Sequence, residues 1–329
     1  MAPMPQDVVK YLYEKTSFIR DTMRFQTASY CRTQLMPTLN ECFDTLDSYD
    51  VDVEVLRTTR IHNALREIYN RDNLFDHDVT DCAKMMLDKW NHQFGDTSNI
   101  RPDLWGDGGR MEGCGKEFHP VPRQKQKRWH VAPSSRKFIT RDGEGDFLVG
   151  DWWINRAAAF RDGAIDNPDG RFSYSKWGVC ALVLALGEEE ILKEESNDDL
   201  EISSWKCKMT EFKPGPKGEG MWALTSNMLC GEQTRLLRSW KLTSPLAPTA
   251  GLRYDGMYTI REFAVTDEEG VVYFTMELAR GEYMLDRDIM MEHPNSEEID
   301  DWEEFRRARK MAYEIQTLQL QNSAQTPLS

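Results

Sequence analysis

The chain reads as α+β: an N-terminal helical bundle, then a β-rich domain, then a helix near the C-terminus. Three observations predict this. Apolar residues recur at three- and four-residue spacing through residues 1–98. After Asp146 the pattern changes to short β-branched and aromatic runs bounded by Gly, Pro or Asp. A single apolar stripe at helical spacing then returns from Trp302 onward. A length of 329 residues leaves room for two domains.

The helical domain, residues 1–98, is built on repeated stripes. Leu39, Cys42, Phe43 and Leu46 form one, and Ile61, Leu65 and Ile68 another. Val79, Cys82, Ala83, Met86, Leu87, Trp90 and Phe94 extend the same period over four turns. Asp78 or Thr80 is placed to cap that helix, and Gly95 stands where a C-terminal glycine belongs. VEVLRTTRIHNALREIY (Val53–Tyr69) followed by DCAKMMLDKWNHQF (Asp81–Phe94) resembles the helical N-terminal module of transcription elongation factors.

Periodicity dissolves between residues 99 and 145, where Gly, Pro and charge predominate, and this stretch reads as a basic linker. The net charge of the chain is −14, so basic residues matter where they are segregated. No acid occurs between Glu117 and Asp142, while Arg123, Lys125, Lys127, Arg128, Arg136 and Lys137 all do. Such a strip suits either phosphate contacts or a nuclear import signal. Acid gathers instead in Glu188–Glu201 and Glu297–Glu304.

The β domain, residues 146–294, opens with FLVGDWW. WGVCALVLAL is apolar nearly throughout, as a strand covered on both faces requires. SSWKCKM, MWALTSN, YTIREFAV and VVYFTMEL supply further strands, the last two flanking TDEEG as a hairpin with a five-residue loop. GLRYDGMYTI (Gly251–Ile260) reads as a turn entering a strand. Asp255-Gly256 forms the tight turn, Tyr254 and Tyr258 bracket it, and Arg253 pairs with an acid.

The order VGDWW, RDGAIDNPDG, CALVLA, TSNMLCGEQTRLLRSWKL, GLRYDGMYTI and FTMELAR resembles the SRA-YDG (SET- and RING-associated) domain over residues 146–281. That resemblance implies a curved, β-barrel-like fold of nuclear chromatin proteins, DNA binding, and structural roles for Arg253, Tyr254, Asp255, Gly256 and Tyr258. The family's methyl-readers follow the LVLA-type strand with glycine, a ring that stacks on a flipped 5-methylcytosine, and an acid for its edge. Here those positions hold Gly187, Glu188 and Glu189. A carboxylate supplies no stacking, which is worth about 1–3 kcal/mol per base. EESNDDLEISSW stands where the pocket-closing segment belongs, and GAIDNPDG makes the minor-groove loop acidic. The expectation is a DNA-binding module without the methylcytosine pocket. The alternative is a protein-interaction module that keeps the fold and has lost DNA recognition.

Catalytic and metal motifs are absent from the sequence. The seven cysteines form no C-x-x-C pair, and the six histidines no H-x-x-x-H or H-E-x-x-H. Asp199, Glu211 and Lys213 carry the residue types of a metal nuclease, at a spacing common in a chain with 55 acids. No P-loop, nucleophile elbow or dinucleotide fingerprint occurs. The expectation is therefore a non-enzymatic protein without cofactor or metal. With no secretory signal and no membrane-spanning run, it is expected in the cytosol or nucleus, and the resemblance implies the nucleus, with DNA or chromatin and other nuclear proteins as partners. Residues 295–329 form the C-terminal helix, with acids first and Arg306, Arg307, Arg309 and Lys310 after them, and a tail that frays from Leu318.

Overall fold

The computed structural model describes residues 2–71, 74–117, 128–137, 143, 145–185, 187–192, 204–210, 219–268, 271–280 and 287–324. The chain divides into two compact units. Unit 1 combines Met1–Leu104 with Asn295–Ser329, and unit 2 is Trp105–Pro294.

Unit 1 begins with β1 (Ala2–Pro3), α1 (Gln6–Phe25), α2 (Ala28–Ser48) and β2 (Tyr49–Asp50), which pairs parallel with β1. Then follow α3 (Val53–Thr59), α4 (Ile61–Tyr69) and α5 (His77–Phe94). The stripes read from the sequence point inward: Leu39, Cys42, Leu46, Ile61, Leu65, Ile68, Ala83, Leu87 and Trp90 are all buried in one core. Helix starts follow side-chain chemistry, since the Asp52 carboxylate accepts from Val55 N at 2.8 Å. The N-cap residue of α5 is Asp76, ahead of the two residues expected there, and Gly95 ends it at φ 81°.

Unit 2 starts with an antiparallel ribbon, β3 (Cys114–Glu117) on β4 (Arg128–Val131). The stretch read as a linker is therefore folded in part, and it also contributes the buried Met111. Next come β5 (Trp152–Trp153), α6 (Arg156–Asp162), β6 (Phe172–Tyr174), β7 (Val179–Leu184), β8 (Glu188–Leu192) and β9 (Ser204–Thr210). After them come α7 (Glu219–Cys230), β10 (Gln233–Ser239), β11 (Leu252–Glu268), β12 (Val271–Arg280) and α8 (Arg287–Met291). The main sheet runs β6-β7-β10-β11-β12-β9-β8, with β5 also pairing β11. Only β7 and β10 pair in parallel among these neighbours. No closed barrel forms among the described residues, and β6 and β8 end the sheet.

β7 is buried at all six positions, which accounts for its unbroken apolar run. β11 and β12 form the expected hairpin, but their ladder continues to Glu268 opposite Val271, so the connection is shorter than five residues. One strand assignment is corrected. MWALTSN lies on α7, not on a strand: Ala223, Leu224 and Asn227 face inward at helical spacing while Trp222 faces solvent. Glu188–Leu192, at the head of the acidic run, forms β8, which hydrogen-bonds along β9.

The last helix, α9 (Ser296–Ala324), belongs to unit 1 and not to the β domain. Asp300 on α9 receives the Arg20 guanidinium of α1 at 2.6 and 2.9 Å. Trp302 and Phe305 are buried, whereas Ala312 and Ile315 of the same stripe are exposed. Helix continues to Ala324, beyond the expected fraying point.

Candidate functional site

The RYDG stretch lies within β11, not at a turn. β10 and β11 pair in register at Leu237–Tyr254 and at Arg235–Met257, so Asp255 and Gly256 together face the single residue Leu236. This is a β-bulge, and Gly256 adopts φ 100°, where a side chain is disfavoured. The extra residue resets the inward alternation. Asp255 and Tyr258 are three apart, which in a regular strand would put them on opposite faces. Both nevertheless meet Arg238 of β10: its Nη1 donates to Asp255 Oδ2 at 2.7 Å and to Tyr258 Oη at 3.4 Å.

A four-charge cluster grows from this bulge. Arg238 also donates from Nε and Nη2 to Glu189 on β8, at 2.6–3.1 Å. Ser244 Oγ donates to Glu189 Oε2 at 2.5 Å. Arg253 donates to Asp255 from Nε at 2.5 Å and from Nη2 at 3.0 Å. Its remaining N–H groups reach the backbone carbonyls of Leu246, Met290 and His293. Two guanidiniums and two carboxylates thus cancel where none of the four side chains is more than 1% exposed. Burial works against the Arg238 charge, and Tyr258, Glu189 and Asp255 outweigh it, holding its pKa well above the usual value.

The start of β8 is fixed by backbone as well. Thr243 N donates to Gly187 O at 2.9 Å and Glu189 N to Thr243 O at 3.0 Å. Gly187 sits at φ 120°. Beyond Gly187, Glu188 is exposed and Glu189 is buried in the cluster. Both Glu189 oxygens accept from Arg238, and one also from Ser244. Tyr254 packs edge-on to Phe147 with ring centroids 6.1 Å apart. Chemically the cluster is closed: it joins β8, β10, β11 and the segments around Leu246 and Met290. Arg238 and Ser244 were not singled out by sequence reasoning. The signal was an arginine interrupting the apolar run of TRLLRSW, whose charge requires buried acids.

The basic strip is distributed differently. Arg136 lies with its guanidinium carbon 4.1 Å from the Phe160 ring centroid. Lys137 N donates to Arg161 O at 2.7 Å, and its Nζ stands 3.4 Å from Asp162. Arg128 is paired opposite Glu117 at the start of β4. Arg123, Lys125 and Lys127 lie outside the described residues, in the segment joining β3 to β4. The nuclease-like set Asp199, Glu211 and Lys213 also lies outside them.

No family model and no curated protein matches the chain. Solved structures do. A modification-dependent TagI restriction endonuclease is 18% identical over 44% of this chain and 54% of its own, at a TM-score of 0.34. SUVH6 of Arabidopsis thaliana, in complex with SAM, is 16% identical over 45% of this chain and 28% of its own, at 0.33. The SRA domain of SUVH5, complexed with methylated CHH DNA, is 14% identical over 46% and 98%, at 0.32. The chain spans about half the length of the endonuclease and about a quarter of SUVH6. Nothing in these comparisons supports the likeness of the helical domain to elongation factors.

Proposed function

We propose that unit 2 is a nuclear, chromatin-associated, non-enzymatic module that binds DNA through the basic strip and does not read a methylated base. One observation carries the reading. The acid-free strip is anchored at both ends on unit 2, through the β3–β4 ribbon and through Lys137 on α6. Arg123, Lys125 and Lys127 fall in sequence between β3 and β4. In a chain of net charge −14, such a strip concentrates the positive potential that phosphates require. The closed Glu189–Arg238 cluster supports the second half of the reading, since Glu189 would have to leave Arg238 to reach a base edge.

The test is duplex binding by the full chain across a salt series. Changing Arg123, Lys125, Lys127 and Arg128 together to Gln should weaken binding and flatten the log K against log salt slope by about four phosphate contacts. An unchanged slope would refute the reading.

A second reading, a protein-interaction module, rests on exposed apolar side chains. Trp222 and Leu229 share one face of α7 at 65% and 76% exposure, and Ser226 between them donates to Trp177 O at 2.6 Å. Trp177 is itself 55% exposed. On that reading the full chain shows no salt-dependent duplex binding, and Trp222→Ala removes a protein partner from nuclear extracts.

A further inference from the structure

Unit 1 contains a polar cavity of about 260 Å³ that the proposed function does not use. Its walls come from α1, α4, the residues after α5, and α9. Three arginines and three carboxylates line it: Arg20, Arg66, Arg101, Glu67, Asp300 and Glu303. Their pairing is uneven. Arg20 engages Glu67 at 2.7 Å and Asp300 at 2.6 and 2.9 Å. Asp300 accepts from Asn63 Nδ2 at 3.0 Å as well. Asp300 thus accepts through both oxygens, and Glu67 is engaged through Oε1.

Arg66 has a different environment. Its Nη1 donates to Asn63 Oδ1 at 2.9 Å and its Nη2 to Thr97 Oγ1 at 3.0 Å, both neutral acceptors. Thr97 is held in turn by Asn91 Oδ1 at 2.9 Å. The guanidinium plane is thereby fixed while its charge is met by no carboxylate within 4 Å among the described residues. Arg101 approaches Glu304 only to 3.9 Å, and both Glu304 oxygens accept from Arg307 at 2.7 and 2.8 Å. Burial lowers the Arg66 pKa and Arg101 adds to the effect, while Asp96, Asp300 and Glu67 oppose it from a distance. One guanidinium fixed by neutral acceptors, Arg66, and a second, looser one, Arg101, therefore line one small cavity without a close carboxylate partner of their own.

We infer that this cavity is a binding site for a single phosphate monoester group. The guanidinium fork accepts planar or tetrahedral oxyanions in a bidentate manner. Two cations match a dianion better than a lone carboxylate. The exposed Glu303 and the carboxylates of Glu67 and Asp300 on the same walls disfavour a polyanion such as a nucleic-acid backbone. The volume suits a ligand below drug size. A free phosphate ester and a phosphorylated side chain present the same chemistry.

Calorimetric titration of the full chain tests this with O-phosphoserine, with a short phosphoserine peptide, and with the unphosphorylated form of each. Saturable binding of O-phosphoserine is expected with Kd below about 1 mM, and none of serine. Arg66→Gln should abolish it, and Arg101→Gln, at a half-exposed side chain, should weaken it about tenfold without changing the fold. Binding should also weaken from pH 7 to pH 5, because the second phosphate proton returns near pH ~6. Peptide binding tighter than O-phosphoserine assigns the ligand to a phosphorylated protein, and equal binding to a free ester. No saturable heat with O-phosphoserine would overturn the inference, as would Arg101→Gln protein that binds like the parent. The Arg101 variant keeps the test decisive if Arg66→Gln fails to fold.

Discussion

Glu189 and Arg238, 49 residues apart in the chain, meet inside unit 2 with no exposure of either side chain. Breaking one half of such a pair leaves an uncompensated buried charge, which typically costs about 3–5 kcal/mol. Glu189→Gln should therefore destabilise unit 2 by roughly that amount, read as a shift in the urea midpoint. A loss under about 1 kcal/mol would show that water reaches the site.

The bulge makes a separate prediction. Gly256 holds φ 100°, which a β-branched residue does not tolerate. Gly256→Val should cost more than about 1 kcal/mol and misplace Asp255 against Arg238. An unchanged melting temperature contradicts this.

Methylation discrimination should be nearly absent. Extruding a base costs a few kcal/mol, which a pocket must recover through stacking and edge contacts. Glu188 offers no ring, and the Glu189 carboxylate is already engaged. Paired methylated and unmethylated duplexes at fixed salt should differ by less than about threefold, under ~0.7 kcal/mol. A tenfold preference would point to a pocket built from other residues.

Acid sensitivity should come partly from His62 in unit 1. Burial first, then the nearby Arg66 charge, push its pKa from the usual 6.5 to about 4, while Asp300 opposes and Arg20 adds. The unfolded chain thus binds a proton that the folded state refuses. Stability from this group is complete above pH ~6.5 and is lost as pH falls toward ~4, by up to roughly 3 kcal/mol. His62→Leu should flatten the wild-type decline in urea midpoint between pH 7 and pH 4.5. Parallel declines in the two proteins would exclude His62 as the cause.

Much of this architecture is legible in local pattern. The stripes on α2, α4 and α5, the buried run of β7 and the β11–β12 hairpin each follow from a single periodicity. What stays hidden depends on distant partners. YDG reads as a turn because Asp-Gly favours turns, yet pairing with β10 absorbs the two residues as a bulge. Nothing local to the glutamates after Gly187 announces that Arg238 will bury one of them. MWALTSN misleads through its exposed tryptophan, while the informative residue is Asn227, which clamps both backbone groups of Val179 at 2.6 and 2.9 Å. The cavity beside Arg66 is invisible in sequence, since its walls come from positions as far apart as Arg20 and Asp300.

Arg20 and Asp300 are separated by 280 residues, and all of unit 2 lies between the two stretches that make unit 1. On the ribosome, α1 emerges long before its carboxylate partner on α9 exists. Unit 2 is then complete and free to fold while the first helices still wait, although domains more often mature in N-to-C order. Until α9 emerges, Arg20 has its Glu67 partner but not Asp300, so the early helices gain their last ion pair only when the chain is nearly complete.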